Sequence, residues 1–580
     1  MTVLLGAYAA RSCPVKTQNA FDPTLEKRAW EPDEALAELF DGGSAYEAQV
    51  LDRLVSTFPG RLVDLRDPTD PSTGARTQAC LDALRSGADV VVGGQLPIDL
   101  AGHRVGQPDL LVRGADQQDG TPRYHPVEVK WHKISERHHP RRDRPGSQPA
   151  DRPPLAYTTL ADPRPLPAQE LAGHGLRFNT READLLQLAH YHRMLQAAGF
   201  GTDDDARGAV IGTDDVLGET LLAWADLAQP LVRTFSRSDP EGWRLRSVLQ
   251  RYDHEYTFRL DVATVAAQQS GHPETDPALL VRPIVTVECG RCPWWEHCLP
   301  QLDPDDVSLR IDKGPLDVRE IATLRRHGVH TITDLANADL DELSTRYLPE
   351  VTHRSGAESR LRVATRRARM LLSGEPLERE STGAIEVPAA EIEVDFDIET
   401  ATDGRIYLWG FLVTDVPSGG PSSYVAFSRF TDLDATAEAE LAREALSWLH
   451  DLVQGDRSVR VYHYSGYEVA AIKALADRLD DPLFHWALGY AQEQFVDLLE
   501  LVKAHYFGVS GLGLKMVASQ GAGFRWRDED PGGLNSQRWF ADAVHEETEP
   551  VRSAARQRVL DYNEDDVIAT ARVRAWLRAS

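Results

Sequence analysis

The stretch EVDFDIET, residues 393–400, alternates between acidic and apolar residues over most of its length. Val394, Phe396 and Ile398 fall on one side of an extended chain, and Asp395, Asp397 and Glu399 on the other, because successive side chains of a strand point to opposite faces. Three acids along one strand face repel one another, so the simplest compensation is a cation among them. Far downstream, LDYNEDDVIATARVRAWL, residues 560–577, has helical spacing and sets Tyr562 and Asp566 at i and i+4, neighbours on one helix face. Between the two, VYHYSGYEVAAIKAL, residues 461–475, offers Glu468 where a strand gives way to a helix. Asp395 and Asp565 are expected to back the metal ligands or to face solvent.

From Ala390 onward, strand patterns (EIEVDFDIET, IYLWGFLV, SYVAFSRF) alternate with helical ones, which is the signature of an α/β domain. These segments resemble the DEDDy exonucleases of the RNase H-like fold. FDIET (396–400) matches their DxE, YNEDD (562–566) matches their YxxxD, and HYSGYE (463–468) stands where they show Asn-x3-Phe-Asp. The YprB-type subgroup is the most similar. The resemblance implies that Asp397, Glu399, Glu468 and Asp566 hold two Mg²⁺ or Mn²⁺ ions and that Tyr562 positions the attacking water. Two such ions stabilise the entering and leaving oxygens of a phosphodiester displacement. Glu468 replaces the usual Asp and His463 the usual Asn.

A second set of candidates lies in the N-terminal half. GGSAYEAQVLDRLVSTF (42–58) and READLLQLAHYHRMLQAAG (181–199) have helical apolar spacing, the latter ending near Gly199. ADVVVGGQLPI (88–98), GQPDLLVR (106–113), YHPVEVKWHK (124–133), RGAVIG (207–212), TLLAWADL (220–227) and EYTFRL (255–260) are predicted strands. Glu128-Val129-Lys130 fits the pattern (D/E)xK, which eight lysines among 90 acids in 580 residues would produce about once by chance. Its weight comes from context. Alternation in PVEVK puts Glu128 and Lys130 on one face, a hairpin would bring Asp109 beside Glu128, and Gln187 and Tyr191 are i, i+4 neighbours on the following helix. Two carboxylates with waters make an ordinary Mg²⁺ site, and an adjacent lysine can orient or activate a bound water.

In order and spacing, these residues resemble the RecB-like branch of the PD-(D/E)XK nucleases. That implies Asp109 and Glu128 as metal ligands, Lys130 assisting the water, and Gln187 and Tyr191 placing substrate and lysine. The family's GxxxH on the early helix is absent: GGSAYE offers Tyr46 and then Glu47, and Glu47 is the candidate substitute ligand.

Cys13 in RSCPVK and Cys289, Cys292 and Cys298 in ECGRCPWWEHC account for four of the five cysteines. Four thiolates suit an iron–sulfur cluster or zinc. One branch of RecB-like nucleases, including CRISPR-associated exonucleases and the AddB subunit, carries a [4Fe–4S] cluster on one N-terminal cysteine and a later CxxCx5C triplet. The match implies that cluster here, with zinc as the alternative, stapling the two ends of a domain whose loop closure is costly. Cys80 is expected to be an ordinary buried thiol. So few cysteines disfavour a secreted disulfide scaffold.

Residues 303–384 change character. LRRHGVHTITDLANAD (324–339) resembles a helix-hairpin-helix element whose Gly328 turn would present N–H groups to a phosphate. In the next helix Arg360, Arg362, Arg366, Arg367 and Arg369 form either a patch for a nucleic-acid backbone or the solvated face of a packing helix, with Leu361, Ala364, Ala368 and Leu371 as a buried stripe. The net charge of −27 argues against indiscriminate coating of nucleic acid. No apolar run is long enough for a membrane span, and the first residues lack a signal-peptide pattern.

The expectation is an α/β multidomain chain. A restriction-endonuclease-like PD-(D/E)XK domain covers 1–302, with a mobile insertion over about 138–167. A helical, helix-hairpin-helix-like linker domain covers 303–384, and an RNase H-like domain 385–580. The expected function is a cytoplasmic, metal-dependent nuclease acting on single strands or ends, with DNA favoured over RNA and RNA left open, and with a helicase supplied in trans. The alternatives are a nucleic-acid-binding scaffold or an iron–sulfur redox sensor in which one or both nuclease sites are degenerate.

Overall fold

Apolar strands of the N-terminal half pair into one mixed sheet, and amphipathic helices cover its two faces. The computed structural model describes residues 2–27, 34–67, 72–137, 156–165, 169–170, 176–178, 181–216, 219–311 and 313–580. The chain divides into two units, residues 1–310 with 315–363, and residues 311–314 with 364–580.

In the first unit the elements are α1 (Pro14–Phe21), α2 (Glu34–Thr57), β1 (Leu62–Asp64), β2 (Val90–Val92), β3 (Leu110–Arg113), β4 (Tyr124–Val129), β5 (Ala156–Thr159), β6 (Gln169–Glu170), α3 (Glu182–Ala197), β7 (Arg207–Val216), β8 (Glu219–Asp226) and α4 (Val248–Ala266). Sheet order is β1-β2-β3-β4-β7-β8-β5-β6. β3 and β4 are antiparallel, and β4 runs parallel to β7, so α3 makes the crossover between them. Val90, Val92, Val127 and Val129 pack on the α2 side against Val50, Leu51 and Leu54. Val91, Leu111 and Tyr124 pack on the other, against Tyr191, Met194 and Leu195 of α3.

Two expectations fail here. EYTFRL is not a strand but the middle of α4, whose buried Val248, Leu249, Tyr252, Tyr256, Val262 and Ala263 recur at helical spacing. Ser247 and Gln250 form a capping box at its start; six residues were too short a window to reveal that period. Within the expected insertion, Ala156–Thr159 is a strand paired with β8, while residues 138–155 and 166–168 lie outside the described residues.

Helices α5 (Val318–Arg326) and α6 (Ile332–Asn337) meet at Gly328, whose φ of 83° is open to glycine at little cost. Residues 315–363 belong with the first unit rather than with a separate linker. The Arg319 guanidinium lies 3.6 Å from the Phe235 ring centroid, and Arg233 Nη2 donates to the Thr352 carbonyl at 3.0 Å. Helix α7 (Ala357–Ser373) follows. Leu377–Arg379 pairs with Tyr506–Gly508, which draws that end of the segment into the second unit.

The second unit is built on a five-stranded sheet of β9 (Ile392–Thr400), β10 (Ile406–Asp415), β11 (Ser423–Ser428), β12 (Val459–His463) and β13 (Phe495–Asp497), in the order β11-β10-β9-β12-β13. β9, β10 and β11 are antiparallel neighbours, whereas β12 runs parallel to β9. The helices that matter below are α8 (Ala435–Val453), α9 (Tyr467–Arg478), α10 (Leu514–Gln520), α11 (Gly533–His545) and α12 (Glu549–Ala579). Val394, Phe396 and Ile398 bury against Trp409, Phe411 and the Leu441, Ala445 and Leu449 stripe of α8. The acidic face of β9 is thereby turned to α12.

Candidate active site

That acidic face is longer than the three residues of the sequence reading. Glu393 joins Asp395, Asp397 and Glu399, and the two ends of the row are treated differently. At one end, Arg574 of α12 grips Asp395, Nε to Oδ1 at 3.1 Å and Nη2 to Oδ2 at 2.7 Å, and also donates to Glu393. Arg578 donates to Glu393 Oε1 at 2.6 Å, and the Tyr462 hydroxyl donates to the same oxygen. Asp395 is therefore wholly buried in an ion pair rather than solvated. Asp565 likewise pairs with Arg527 at 2.8 Å.

At the other end the row has no arginine. Asp397, Glu399 and Asp566 each bring an oxygen within 4.8 Å of the others, the one such group of three among the described residues. Neutral donors hold them instead. Asn563 Nδ2 donates to Asp397 at 2.8 Å, the Ser536 hydroxyl to Glu399, and Trp526 Nε1 to Asp566 at 2.6 Å. Burial, reinforced by Glu399, Asp566 and Glu468, drives the Asp397 carboxyl well above its usual range. Burial with Asp566 nearby pushes Glu399 up to about 8, and burial pushes Asp566 up to about 6. Carboxylates this crowded release their protons readily only when a cation joins them.

Tyr562 sits one helical turn before Asp566; its hydroxyl accepts from Lys515 Nζ at 3.1 Å, and its ring meets Trp539 edge-on. Glu468 opens α9. It is near enough to Asp397 to raise that residue's pKa but stands outside the group of three. His463 Nδ1 lies 3.3 Å from Glu468 Oε2 and close to the Ser465 carbonyl; both are acceptors, so Nδ1 carries the proton. Ser465, between them, has φ of 110°, a strained value for a residue with a side chain. Gly410 faces Asp397 across β9 and β10, and a Cβ there would fall 1.7 Å from Asn563 Oδ1. A glycine inside a strand marks close approach, and this is the signal that could have revealed Asn563 from sequence.

Residues 394–578 match the RNase H superfamily. The C-terminal domain is RNase H-like, which indicates nuclease chemistry on nucleic acid, and the Asp397/Glu399/Asp566 group is able to bind the divalent metal such nucleases use. No curated protein and no solved structure matches the chain.

The first unit assembles its own constellation. Asp109 precedes β3 and accepts the Val129 N–H at 2.7 Å, which places it beside Glu128 of β4. Glu128 is buried. Its Oε2 accepts from Lys130 Nζ and from Gln187 Nε2, both at 2.7 Å, while its Oε1 is buried without a hydrogen-bond partner among the described residues. Tyr191 lies 3.5 Å from Gln187 Nε2 and donates to the Gln107 carbonyl. Burial, then the Asp109 charge, pushes Glu128 up to about 8. Burial works to lower Lys130, and Glu128 with Asp109 outweighs it. Glu47 is raised by burial and by Asp109, yet among the described residues Asp109, Glu128 and Glu47 do not form a group of three ligand atoms all within 4.8 Å of one another. The Tyr46 hydroxyl donates to the Gly212 carbonyl. Arg11, absent from the sequence reading, donates to Gln187 Oε1 at 3.1 Å.

Cys13, Cys289, Cys292 and Cys298 line one cavity with Pro283, Trp294 and Trp295. Cys13 reaches it as the residue capping α1, which packs along α4; Arg259 of α4 donates to the Ser12 carbonyl at 2.9 Å, and the Cys13 N–H donates to Glu288. Asn19 Nδ2 and the Thr286 N–H point at the sulfurs of Cys298 and Cys289. No three of the sulfurs lie within 4.8 Å of one another. Burial pushes Cys298 up to about 11. Cys80 is fully buried elsewhere in the core.

The arginines of α7 are engaged within the chain. Arg360 pairs with Glu320, Arg362 with Glu358, and Arg366 with Glu378 and Glu380; Arg367 donates to the Lys313 carbonyl, and Arg369 also has a partner. Leu361, Ala364 and Ala368 are buried as expected, whereas Leu371 is half-buried and Met370 takes its place. A free five-arginine phosphate patch is therefore not what this helix presents.

Proposed function

We propose that the chain is a metal-dependent nuclease whose principal active site is the RNase H-like one, acting as a DEDDy-type exonuclease on DNA strands or ends. The observation that carries this is the convergence of Asp397, Glu399 and Asp566 within 4.8 Å, beside a row whose other acids are neutralised by arginine. Together with the nearby Glu468 these carboxylates would hold the divalent ions, which when bound activate water and stabilise the leaving oxygen. Asn563, Ser536 and Trp526 aim the carboxylate oxygens; His463 restrains Glu468; Tyr562 presents its hydroxyl beside Asp566, where it can orient a water. A helicase acting in trans and a cytoplasmic setting belong to the same reading. The test is a panel of end-labelled single-stranded DNA, duplex DNA and RNA with Mn²⁺, run on wild type and Asp397→Ala. Loss of DNA cleavage in the variant is expected, and undiminished cleavage would sink the proposal.

A second, PD-(D/E)XK-type site in the first unit is favoured by the unpartnered Glu128 Oε1. That buried oxygen makes no hydrogen bond among the described residues, and it belongs to a carboxylate beside Asp109 whose other oxygen holds Lys130. Asp109 and Glu128 would hold its ion. Divalent-dependent cleavage that survives Asp397→Ala and disappears on adding Glu128→Ala would support this; its persistence in the double variant would exclude it.

For the four cysteines we favour a [4Fe–4S] cluster. What supports a shared metal centre is that all four cysteines line one cavity, and four thiolates suit either an iron–sulfur cluster or zinc. Iron and sulfide analysis decides: about four of each per chain, with absorbance near ~400 nm, is expected. Colourless protein with one zinc would refute it.

A further inference from the structure

We infer that Lys515 is a positioning residue of the RNase H-like site, fixing the Tyr562 hydroxyl for the cleavage step; this rests on the nuclease reading above. Lys515 is one of eight lysines in a chain with 55 arginines, and it arrives at the second position of α10 at the end of GLGLK, residues 511–515. Its Nζ reaches two neutral acceptors, the Pro531 carbonyl and the Tyr562 hydroxyl oxygen. Pro531 lies just before α11, which carries Ser536 to Glu399, so one ammonium ties three elements around the site. Among the described residues Lys515 forms no ion pair, although its charge favours the ionised forms of Glu399 and Asp566. Neutralising a particular carboxylate is thus not its task.

An ammonium only donates, so the Tyr562 oxygen must accept and its own proton must point elsewhere. The neighbouring acceptor is Asp566, one helical turn on. Lys515 thereby selects one of the two in-plane orientations open to a phenolic O–H, the one that turns its proton away from the ammonium. Arginine would bring a planar fork in place of a compact charge and meets this geometry only in part.

The experiment is single-turnover cleavage of a labelled single-stranded DNA by the full chain with Mn²⁺, comparing Lys515→Ala, Lys515→Arg, Tyr562→Phe and Lys515→Ala/Tyr562→Phe. Losing a charge-assisted hydrogen bond predicts a fall in the saturating cleavage rate constant of about 10- to 100-fold for Lys515→Ala, with the half-saturating enzyme concentration changed less than about threefold. Partial recovery is expected in Lys515→Arg or on adding propylammonium, and Lys515→Ala should cost nothing further once Tyr562 is Phe. Equal losses in both tyrosine backgrounds would overturn the role, since a merely structural lysine costs the same in each. Should Tyr562→Phe leave no measurable rate, absence of recovery by either arginine or propylammonium overturns it instead. A wild type that cleaves no substrate would remove the nuclease reading and this inference together, whereas a cleaving wild type with additive losses removes only the inference.

Discussion

Withdrawing divalent cations should make the RNase H-like domain lose stability as pH rises, and restoring them should cancel that loss. The cause is the cluster of Asp397, Glu399 and Asp566. Burial and Asp566 push Glu399 from an ordinary 4.5 up to about 8. A folded-state pKa above the unfolded one means that the folded domain keeps a proton the unfolded chain would release. The associated stability is complete below about 4.5 and is lost as pH climbs through about 8. At about 1.4 kcal/mol per tenfold change in proton affinity, the full loss from Glu399 is on the order of 5 kcal/mol, of which about 3 kcal/mol falls between pH 6 and 9. Asp566, raised to about 6, has lost most of its share before that window. For a domain of this size about 3 kcal/mol lowers Tm by roughly 6–12 °C. Scanning calorimetry of the full chain at pH 6 and 9, with EDTA or with Mn²⁺, reads this directly, and Glu399→Gln identifies the transition because its pH dependence should shrink. If that transition in EDTA holds its Tm from pH 6 to 9, or Mn²⁺ leaves it unmoved at pH 9, the carboxylates are not a cation site and the reasoning fails.

Other consequences are equally direct. Arg574→Met strips the fully buried Asp395 of its partner and should cost about 3–5 kcal/mol, a deficit seen in thermal melts that narrows at low pH, where the carboxyl already raised by burial takes up a proton. Gly410→Ala should drive Asn563 off Asp397 and slow single-turnover cleavage about 10- to 100-fold, with Asn563→Ala giving a similar loss; an unaffected Gly410→Ala rate would show that Asn563 does not aim the carboxylate. Cys13→Ala and Cys298→Ala, far apart in sequence, should remove visible absorbance and bound iron alike, whereas retention of both in either variant would take that cysteine out of the ligand set.

Much of the local structure was legible because it depends on period alone. The alternation of residues 393–400 sorts acids from apolar residues whatever the strand packs against, and the i, i+4 spacing of Tyr562 and Asp566 survives any docking of α12. EYTFRL shows where this runs out, since a few β-prone residues inside a long helix carry too short a record of their period. The five arginines of α7 show a different limit: a row of like charges looks free until Glu320, Glu378 and Glu380 arrive from elsewhere in the chain.

By itself, the order of residues determined which side chains could share a face: Asp395, Asp397 and Glu399 on β9, a tyrosine and an aspartate on α12, an acid and a lysine astride Val129. Only the tertiary structure decided which carboxylates Arg574 and Arg578 would neutralise and which would be left beside Asn563, Ser536 and Trp526 for a cation. The reason is physical: facing direction is a property of the backbone repeat, whereas the charge a buried acid meets depends on segments that folding alone brings alongside it.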